Sequence, residues 1–368
     1  MAIMSEAAET LIEPVSDQLS ILVPPLLSTL DTLAVVGRRM HPPRIAEVVG
    51  LLGEHDAELD DAVARFRAAF WPSRFNGLRD QLAESADLAL SACVQLRRAA
   101  RAPAGDGGGF RGLGYSTLAV EALYPVAEYV PAVSRWFVSP ARRDDDALLE
   151  RLMEPALPGT GVQHVRNDPA VRGGSSVFVP EYLDPQTPVP VVLGMHGGSG
   201  HGRTSLWTWV REARSRGFIV ISPTSTGRTW DFADPGQDIA HIEGALAAIR
   251  SRWAIDPERM LLTGISDGGT FTLLAGLGET SPFTHLAPIA ASFSPVLLEI
   301  SDASRLDGLP IYLIHGTLDW MFNIQVARMA RNVLSSAGCA VTFREIRDLS
   351  HTYPTEENEL IIDWLNSA

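Results

Sequence analysis

The sequence contains no lysine, so all 30 of its basic residues are arginine. This absence excludes a lysine nucleophile and any Schiff-base mechanism. The chain is also acidic, with a formal net charge of −14. It has no long arginine stripe that could neutralise phosphates, which argues against nucleic acid as a partner. Small neutral or cationic substrates suit such a chain better.

Cysteine is almost absent, since only Cys93 and Cys339 occur and they lie far apart. They form neither a disulfide framework nor a CxxC motif. No HExxH or related spacing is present, so we expect no metal and no cofactor. The acidic first 20 residues do not resemble a signal peptide, and no run approaches about 18 uninterrupted apolar residues. These absences favour a soluble cytoplasmic protein without a membrane span.

Two kinds of pattern divide the chain. Residues 1–157 show helical periodicity, including a long predicted helix that starts near Phe75. Within this part, Pro24-Pro25 is expected to start or break a helix, and the glycine-rich stretch 104–114 to form a flexible loop. Residues 158–368 alternate short apolar runs with amphipathic segments. The sequence therefore predicts an all-α N-terminal domain followed by an α/β three-layer sandwich with a mostly parallel sheet.

A GxSxG motif, Gly264-Ile265-Ser266-Asp267-Gly268, follows the apolar run 260–263 and precedes a helical stretch. Strand, turn and helix in this order are the context of a nucleophile elbow. The flanking glycines permit a sharp turn that exposes the serine Oγ. We therefore predict that Ser266 is a catalytic nucleophile.

A second glycine motif, His196-Gly197-Gly198-Ser199-Gly200, follows the apolar run 189–195. Backbone N–H groups beside a nucleophile stabilise the oxyanion of a tetrahedral intermediate. The predicted donors are the N–H of Asp267 and the N–H of either Gly197 or Gly198. The sequence does not distinguish between the two glycines.

An acid and a base complete the pattern. Asp319 ends the motif His315-Gly316-Thr317-Leu318-Asp319 after a predicted strand, and His351 follows the last predicted strand. An acid in this position can accept the Nδ1–H of the catalytic histidine, and the chain order Ser266, Asp319, His351 is that of α/β-hydrolases. Three further side chains near these loops are candidates for the substrate pocket: His196, Trp230 and Trp320.

With these motifs, the chain resembles the bacterial predicted esterases of the phospholipase/carboxylesterase and dienelactone-hydrolase-like group of α/β-hydrolases. Trp230-Asp231, Asp238 and the stretch 254–259 before the elbow strand add to the resemblance, which covers about Val177 to Leu365. It implies hydrolysis of the carboxylic ester of a small or medium-sized substrate through an acyl-enzyme.

The N-terminal helical part departs from these compact esterases. It resembles the arrangement in certain C–C bond hydrolases, among them polyketide-trimming enzymes, where an added helical domain covers the active site or forms a homodimer. The alternative is therefore retro-Claisen cleavage of a β-diketone in a polyketide-like or aromatic substrate. The same serine, histidine and oxyanion hole serve both reactions, so the motifs do not separate them.

Overall fold

The computed structural model describes residues 15–102, 108–299 and 301–367. The chain divides into two compact units, with the division between Pro155 and Ala156.

The first unit is built from helices, and no strand occurs among its described residues, 15–102 and 108–155. Short 3-10 turns join several of these elements. In chain order the α-helices are α1 (Ser16–Arg38), α2 (Ile45–Gly50), α3 (His55–Ala68), α4 (Asn76–Ala99), α5 (Gly108–Leu123), α6 (Pro131–Trp136) and α7 (Asp146–Leu152).

The long helix α4 packs against α5. The face of α4 that includes Leu82, Ala89 and Leu96 is buried, and Ser85 Oγ donates to Ala119 O at 2.8 Å. A Cβ on Gly112 would lie 2.8 Å from Leu96 Cγ, so glycine lets the two helices approach closely. The prediction of a flexible loop is wrong from Gly108 onward, because this glycine-rich segment forms the start of α5. The rest of that predicted loop, residues 104–107, lies outside the described residues.

Helix α1 continues through Pro24 and Pro25, so the predicted interruption is wrong. Each proline removes a backbone donor, but burial of the helix face that includes Leu22 and Leu26 stabilises the helix.

By length and mean hydropathy α1 is also apolar enough to cross a membrane. A search for uninterrupted apolar runs misses it because residues such as Ser20 and Thr29 interrupt the run. A single helix of this kind does not establish a membrane span, since the core helix of a globular protein has the same length and hydropathy. In α1, 44% of the apolar window is buried.

The second unit contains one eight-stranded sheet with the order β1-β2-β4-β3-β5-β6-β7-β8. Strand β2 pairs antiparallel with β1 and β4, and the remaining pairs are parallel. The predicted mostly parallel sheet is therefore confirmed. The strands are β1 (Gly161–Val165), β2 (Ser175–Val179), β3 (Val189–Met195), β4 (Ile219–Pro223), β5 (Ile255–Ile265), β6 (His285–Ile289), β7 (Pro310–Gly316) and β8 (Ala340–Ile346).

Helices connect these strands or follow the last one, and apolar helix residues such as Ile242 and Leu334 belong to the core cluster with the strands. They are α8 (Gly202–Ser205), α9 (Val210–Arg216), α10 (Gly236–Arg250), α11 (Asp267–Gly276), α12 (Ala303–Leu306), α13 (Ile324–Ser336) and α14 (Glu357–Asn366).

Strand β6 ends at the first residue of the apolar run 289–293. The apolar run 289–293 predicts a strand, but the strand is His285–Ile289, paired in register with Leu261–Ile265. His285 is buried, and its ring packs against Trp364 with centroids 4.9 Å apart. A polar residue at the start of a buried strand hides that start from a search for apolar runs.

The parallel strands bring the motifs to one edge of the sheet. Met195 ends β3, Ile265 ends β5, Gly316 ends β7 and Ile346 ends β8. The carboxyl ends of parallel strands share an edge, and ligands of open α/β sheets bind there. The four predicted motifs follow these four strands.

Candidate active site

Ser266 lies on a strained turn between β5 and α11. Its backbone has φ 57° and ψ −119°, in the left-handed half of φ space that non-glycine residues rarely adopt. A Cβ on Gly264 would lie 2.6 Å from the Gly268 carbonyl, and a Cβ on Gly268 would lie 2.5 Å from His196 O. Both flanking residues must therefore be glycine for the turn to close. The close approach of Gly268 to His196 O also places the loop after β3 next to the serine turn.

If Ser266 is the predicted nucleophile, replacing Gly268 by alanine is expected to lower kcat about 100-fold. The new Cβ would meet backbone oxygen atoms of Met195 and His196 at 2.7 and 2.5 Å, so the loop after β3 must move away from Ser266. Gly244→Ala is the matched control, because a Cβ there meets nothing within 4 Å. Steady-state kinetics of both variants check this, and a Gly268→Ala enzyme with unchanged kcat would contradict it.

Asp319 and His351 form a buried pair. His351 Nδ1 lies 2.8 Å from Asp319 Oδ2, and the backbone N–H groups of Met321 and Phe322 each donate to Asp319 Oδ1 at 2.8 Å. Burial raises the pKa of this carboxyl, but the hydrogen bonds from His351 and the backbone outweigh burial and hold the pKa below its usual value. The carboxylate is therefore ionised and oriented toward the histidine.

The other ring nitrogen of His351, Nε2, is buried and has no hydrogen-bond partner among the residues that the structure describes. Ser266 Oγ is therefore not hydrogen-bonded to it in this structure. Because Nδ1 faces the carboxylate, Nε2 is the nitrogen left to accept a proton.

A second histidine, His315, also faces the carboxylate of Asp319. Its Nε2 lies 2.9 Å from Phe322 O and 3.3 Å from Asp319 Oδ2. A carbonyl oxygen only accepts, so Nε2 carries the hydrogen. Burial lowers the pKa of His315, which therefore donates as a neutral ring. Sequence reasoning missed this contact, although the four-residue spacing from His315 to Asp319 was a signal for it.

The two predicted oxyanion glycines lie against the serine turn. A Cβ on Gly197 would be 3.5 Å from Ser266 Cβ, and a Cβ on Gly198 would be 2.8 Å from Asp267 Oδ2. The structure thus brings together Ser266, Asp267 and both glycines. The assignment of a glycine N–H and the N–H of Asp267 as oxyanion donors stays a prediction.

His196 and Trp230 are more buried than a pocket wall would be, with 2% and 1% of their surface exposed. Ser225 N donates to His196 Nε2 at 3.0 Å, so Nδ1 carries the hydrogen and donates to Gly197 O at 2.7 Å. Trp230 Nε1 donates to His196 O at 2.8 Å. Burial lowers the pKa of His196 to about 4, which keeps the ring neutral. In place of the predicted substrate contact, we propose that both residues support the oxyanion loop.

Trp320 has a different environment, since 45% of its surface is exposed. Its ring centroid lies 6.4 Å from that of His351, and Phe322 packs edge-on against the same histidine at 5.4 Å. Trp320 can therefore reach a substrate bound at this edge of the sheet. Phe322 carried no motif signal and was missed.

Within the described ranges, no group of three or more His, Cys, Asp and Glu side chains is arranged to hold a metal ion.

The strand order, the serine turn after β5 and the motifs after β3, β7 and β8 define residues 156–368 as an α/β-hydrolase domain. Residues 239–368 match the family described as Phospholipase/Carboxylesterase. The matched range contains Ser266, Asp319 and His351, whereas the glycine loop after β3 precedes it.

Two relatives agree with this family. The bifunctional acetylxylan esterase/xylanase XynS20E of Neocallimastix patriciarum is 29% identical over 187 residues, which is 50% of this chain and 26% of the relative. Acyl-protein thioesterase 1 of Neurospora crassa is 27% identical over 210 residues, 47% of this chain and 84% of the relative. The chain thus spans about a quarter of the first relative's length. The C-terminal part of the chain is thus similar to the Phospholipase/Carboxylesterase family and to an esterase and a thioesterase.

Among solved structures, a thermostable esterase matches with a TM-score of 0.45 and 20% identity, covering 58% of this chain and 63% of that chain.

Proposed function

We propose that this chain hydrolyses a carboxylic ester of a small or medium-sized substrate through an acyl-enzyme on Ser266. The observation that carries the proposal is the buried pair of His351 and Asp319, with Nδ1 and Oδ2 2.8 Å apart and His351 Nε2 left unpartnered. A histidine held in this way is a general base for a nearby hydroxyl.

In the first half of the reaction, His351 Nε2 takes the proton of Ser266 Oγ as Oγ attacks the ester carbonyl carbon. The two side chains must first form a hydrogen bond, which apo active sites commonly achieve only when substrate binds. The N–H of Asp267 and that of Gly197 or Gly198 stabilise the oxyanion. Protonated His351 then gives its proton to the leaving alcohol oxygen, and the acyl group remains on Ser266.

In the second half, His351 takes a proton from water as the water oxygen attacks the acyl-enzyme carbonyl. The ester bond to Ser266 breaks, the proton returns to Oγ and the carboxylic acid leaves. Asp319 stays ionised and stabilises the imidazolium that forms in each half. The Nε2–H of His315, which donates to Phe322 O, also lies 3.3 Å from Asp319 Oδ2 and favours the charged carboxylate electrostatically.

The surface beside His351 suits an apolar substrate group. Trp320 is exposed there, and its neighbours Leu318 and Met321 in the same loop are also exposed. Exposed apolar side chains close to catalytic groups mark a binding surface more often than a random position. We propose that this loop contacts the acyl or alcohol part of the substrate.

The substrate class is tested by comparing rates on p-nitrophenyl acetate and butyrate, a short acyl thioester and an aryl β-diketone. We expect ester turnover in the ordinary range of esterases, because an oxyanion hole and general base are sufficient for an activated ester. Near absence of ester turnover by the folded enzyme would contradict the proposal. Preference for the thioester would redirect it toward thioesterase activity, and preference for the β-diketone toward C–C cleavage.

For the helical unit, we propose that it acts as a cap or as a dimer interface. Exposed aromatic side chains of this unit, such as Phe70, are available for a contact. Light scattering tests the dimer interface, since a homodimer has twice the 39.8 kDa mass of the chain.

A further inference from the structure

Arg172 connects two loops at the proposed active site. It lies between β1 and β2, and its guanidinium donates to Gly200 O at 2.7 Å, Gly227 O at 2.8 Å and Arg228 O at 3.2 Å. It also donates to Ser225 Oγ. None of these four partners is a carboxylate, so Arg172 is not part of an ion pair through these contacts. It joins the two loops by hydrogen bonds, and we call this set of contacts the clamp.

The first of these loops contains the predicted oxyanion glycines. Gly200 N donates to Gly197 O at 2.9 Å, so the loop after β3 closes on itself at the residue that Arg172 binds. A fixed Gly200 carbonyl therefore limits how far Gly197 and Gly198 can move.

The second loop, residues 224–230, reaches both sides of the proposed oxyanion hole. Ser225 N holds the ring of His196 at 3.0 Å, and Trp230 Nε1 holds the His196 carbonyl at 2.8 Å. Thr229 Oγ1 donates to Asp267 Oδ2 at 2.6 Å. This loop thus contacts the glycine loop on one side and the residue after Ser266 on the other.

The charge of Arg172 is partly buried, and burial lowers its pKa. Arginine still remains protonated at any ordinary pH. The nearby carboxylate of Asp238 favours the cation and itself holds the second loop, accepting from Thr226 N at 2.8 Å and Thr226 Oγ1 at 2.9 Å. A partly buried cation is stable here because carbonyl oxygens satisfy its donors.

We propose that Arg172 is a positioning residue that preorganises the oxyanion hole by holding the loop after β3 against residues 224–230. The inference rests on the proposed function, because it assigns Gly197 or Gly198 as a donor. Oxyanion stabilisation depends on donors that are fixed where negative charge develops. Loosening the clamp therefore raises the free energy of the transition state more than that of the bound substrate. Lysine does not replace the clamp, since an ammonium lacks the planar fork that reaches several carbonyls at once.

The test compares Arg172→Met and Arg172→Lys with a matched control, Arg305→Met. Arg305 is likewise partly buried and donates to backbone carbonyls, Gly276 O at 2.8 Å and Phe283 O at 2.7 Å, at the end of α11 opposite Ser266. We expect Arg172→Met to lower kcat about 10- to 100-fold with KM changed less than about 3-fold. Arg172→Lys should recover little of the lost rate.

The control separates positioning from stability. Arg305→Met should lower the Tm and leave kcat of the folded enzyme unchanged. Equal losses of kcat and Tm in Arg172→Met and Arg305→Met would overturn the inference, as would a change in KM alone. If Arg172→Met does not fold, Ser225→Ala removes one acceptor of the clamp and should lower kcat about 3- to 10-fold, and unchanged kcat in that variant would also overturn it.

A second readout keeps this inference distinct from the proposed substrate class. The rate at which a fluorophosphonate labels Ser266 depends on the same oxyanion donors. The measurement needs no natural substrate. We expect Arg172→Met to slow labelling about 10-fold while labelling still reaches completion. If the wild-type enzyme is labelled but turns over no ester, the proposed substrate class is wrong and the role of Arg172 is unaffected. If labelling of Arg172→Met is as fast as wild type, the positioning role fails.

Discussion

Replacing Ser266 by alanine is expected to lower kcat for p-nitrophenyl butyrate by on the order of 10⁴-fold or more. The change removes only Oγ, which is the proposed nucleophile. Without Oγ no acyl-enzyme can form, and only direct attack by water on the ester is left. Alanine has the same backbone restrictions as serine at φ 57°, so the strained turn and the fold should persist. Steady-state kinetics with circular dichroism of the variant check both expectations.

The matched control is Ser251→Ala at the end of α10. Ser251 Oγ donates to Ala248 O at 2.8 Å and lies on an exposed part of the unit, so kcat should stay within a factor of about two. If Ser266→Ala retained more than about a tenth of the wild-type rate, another group would have to be the nucleophile.

The second large effect is expected for Asp319→Asn, with kcat lowered on the order of 10³- to 10⁴-fold and KM nearly unchanged. The asparagine amide has no charge to stabilise the His351 imidazolium. An amide NH₂ facing His351 Nδ1 would also favour the tautomer with hydrogen on Nε2, which cannot accept the serine proton. Asp319 is well suited to its role because its carboxylate already accepts from Met321 N, Phe322 N and His351.

Asp302→Asn is the control for this variant. Asp302 also accepts backbone and hydroxyl hydrogen bonds, from Ser304 N at 2.7 Å and Ser304 Oγ, but it caps α12 outside the site. Its replacement should leave kcat unchanged. An Asp319→Asn enzyme with kcat within 10-fold of wild type would show that this carboxylate does not orient the base.

Local motifs were sufficient to predict much of the fold and the closeness of Asp319 to His351. The turn at Ser266 follows from two glycines within a five-residue motif. In the structure, a backbone atom lies too close to each of these glycines for a Cβ to fit. The pairing of Asp319 with His351, 32 residues apart, was predictable because both residues follow strands that end at the same sheet edge. Such features depend on spacing along the chain and on strand order.

Other features depend on packing that no local pattern records. Pro24 and Pro25 remain within a helix because its buried face stabilises it, and Gly108 starts a helix that packs on α4. Arg172 was missed because its partners lie 28 to 56 residues further along the chain and are backbone carbonyls, which every residue type possesses. His196 looked like a pocket residue because it adjoins the glycine loop, yet both ring nitrogens bind backbone atoms.

The central claim is that Ser266 is the nucleophile, and covalent labelling with peptide mapping tests it most directly. After reaction with a fluorophosphonate, intact-protein mass should increase by one adduct, and the modified peptide should carry it on Ser266. The Ser266→Ala variant should gain no adduct. An adduct on another residue, or one that persists in Ser266→Ala, would contradict the account.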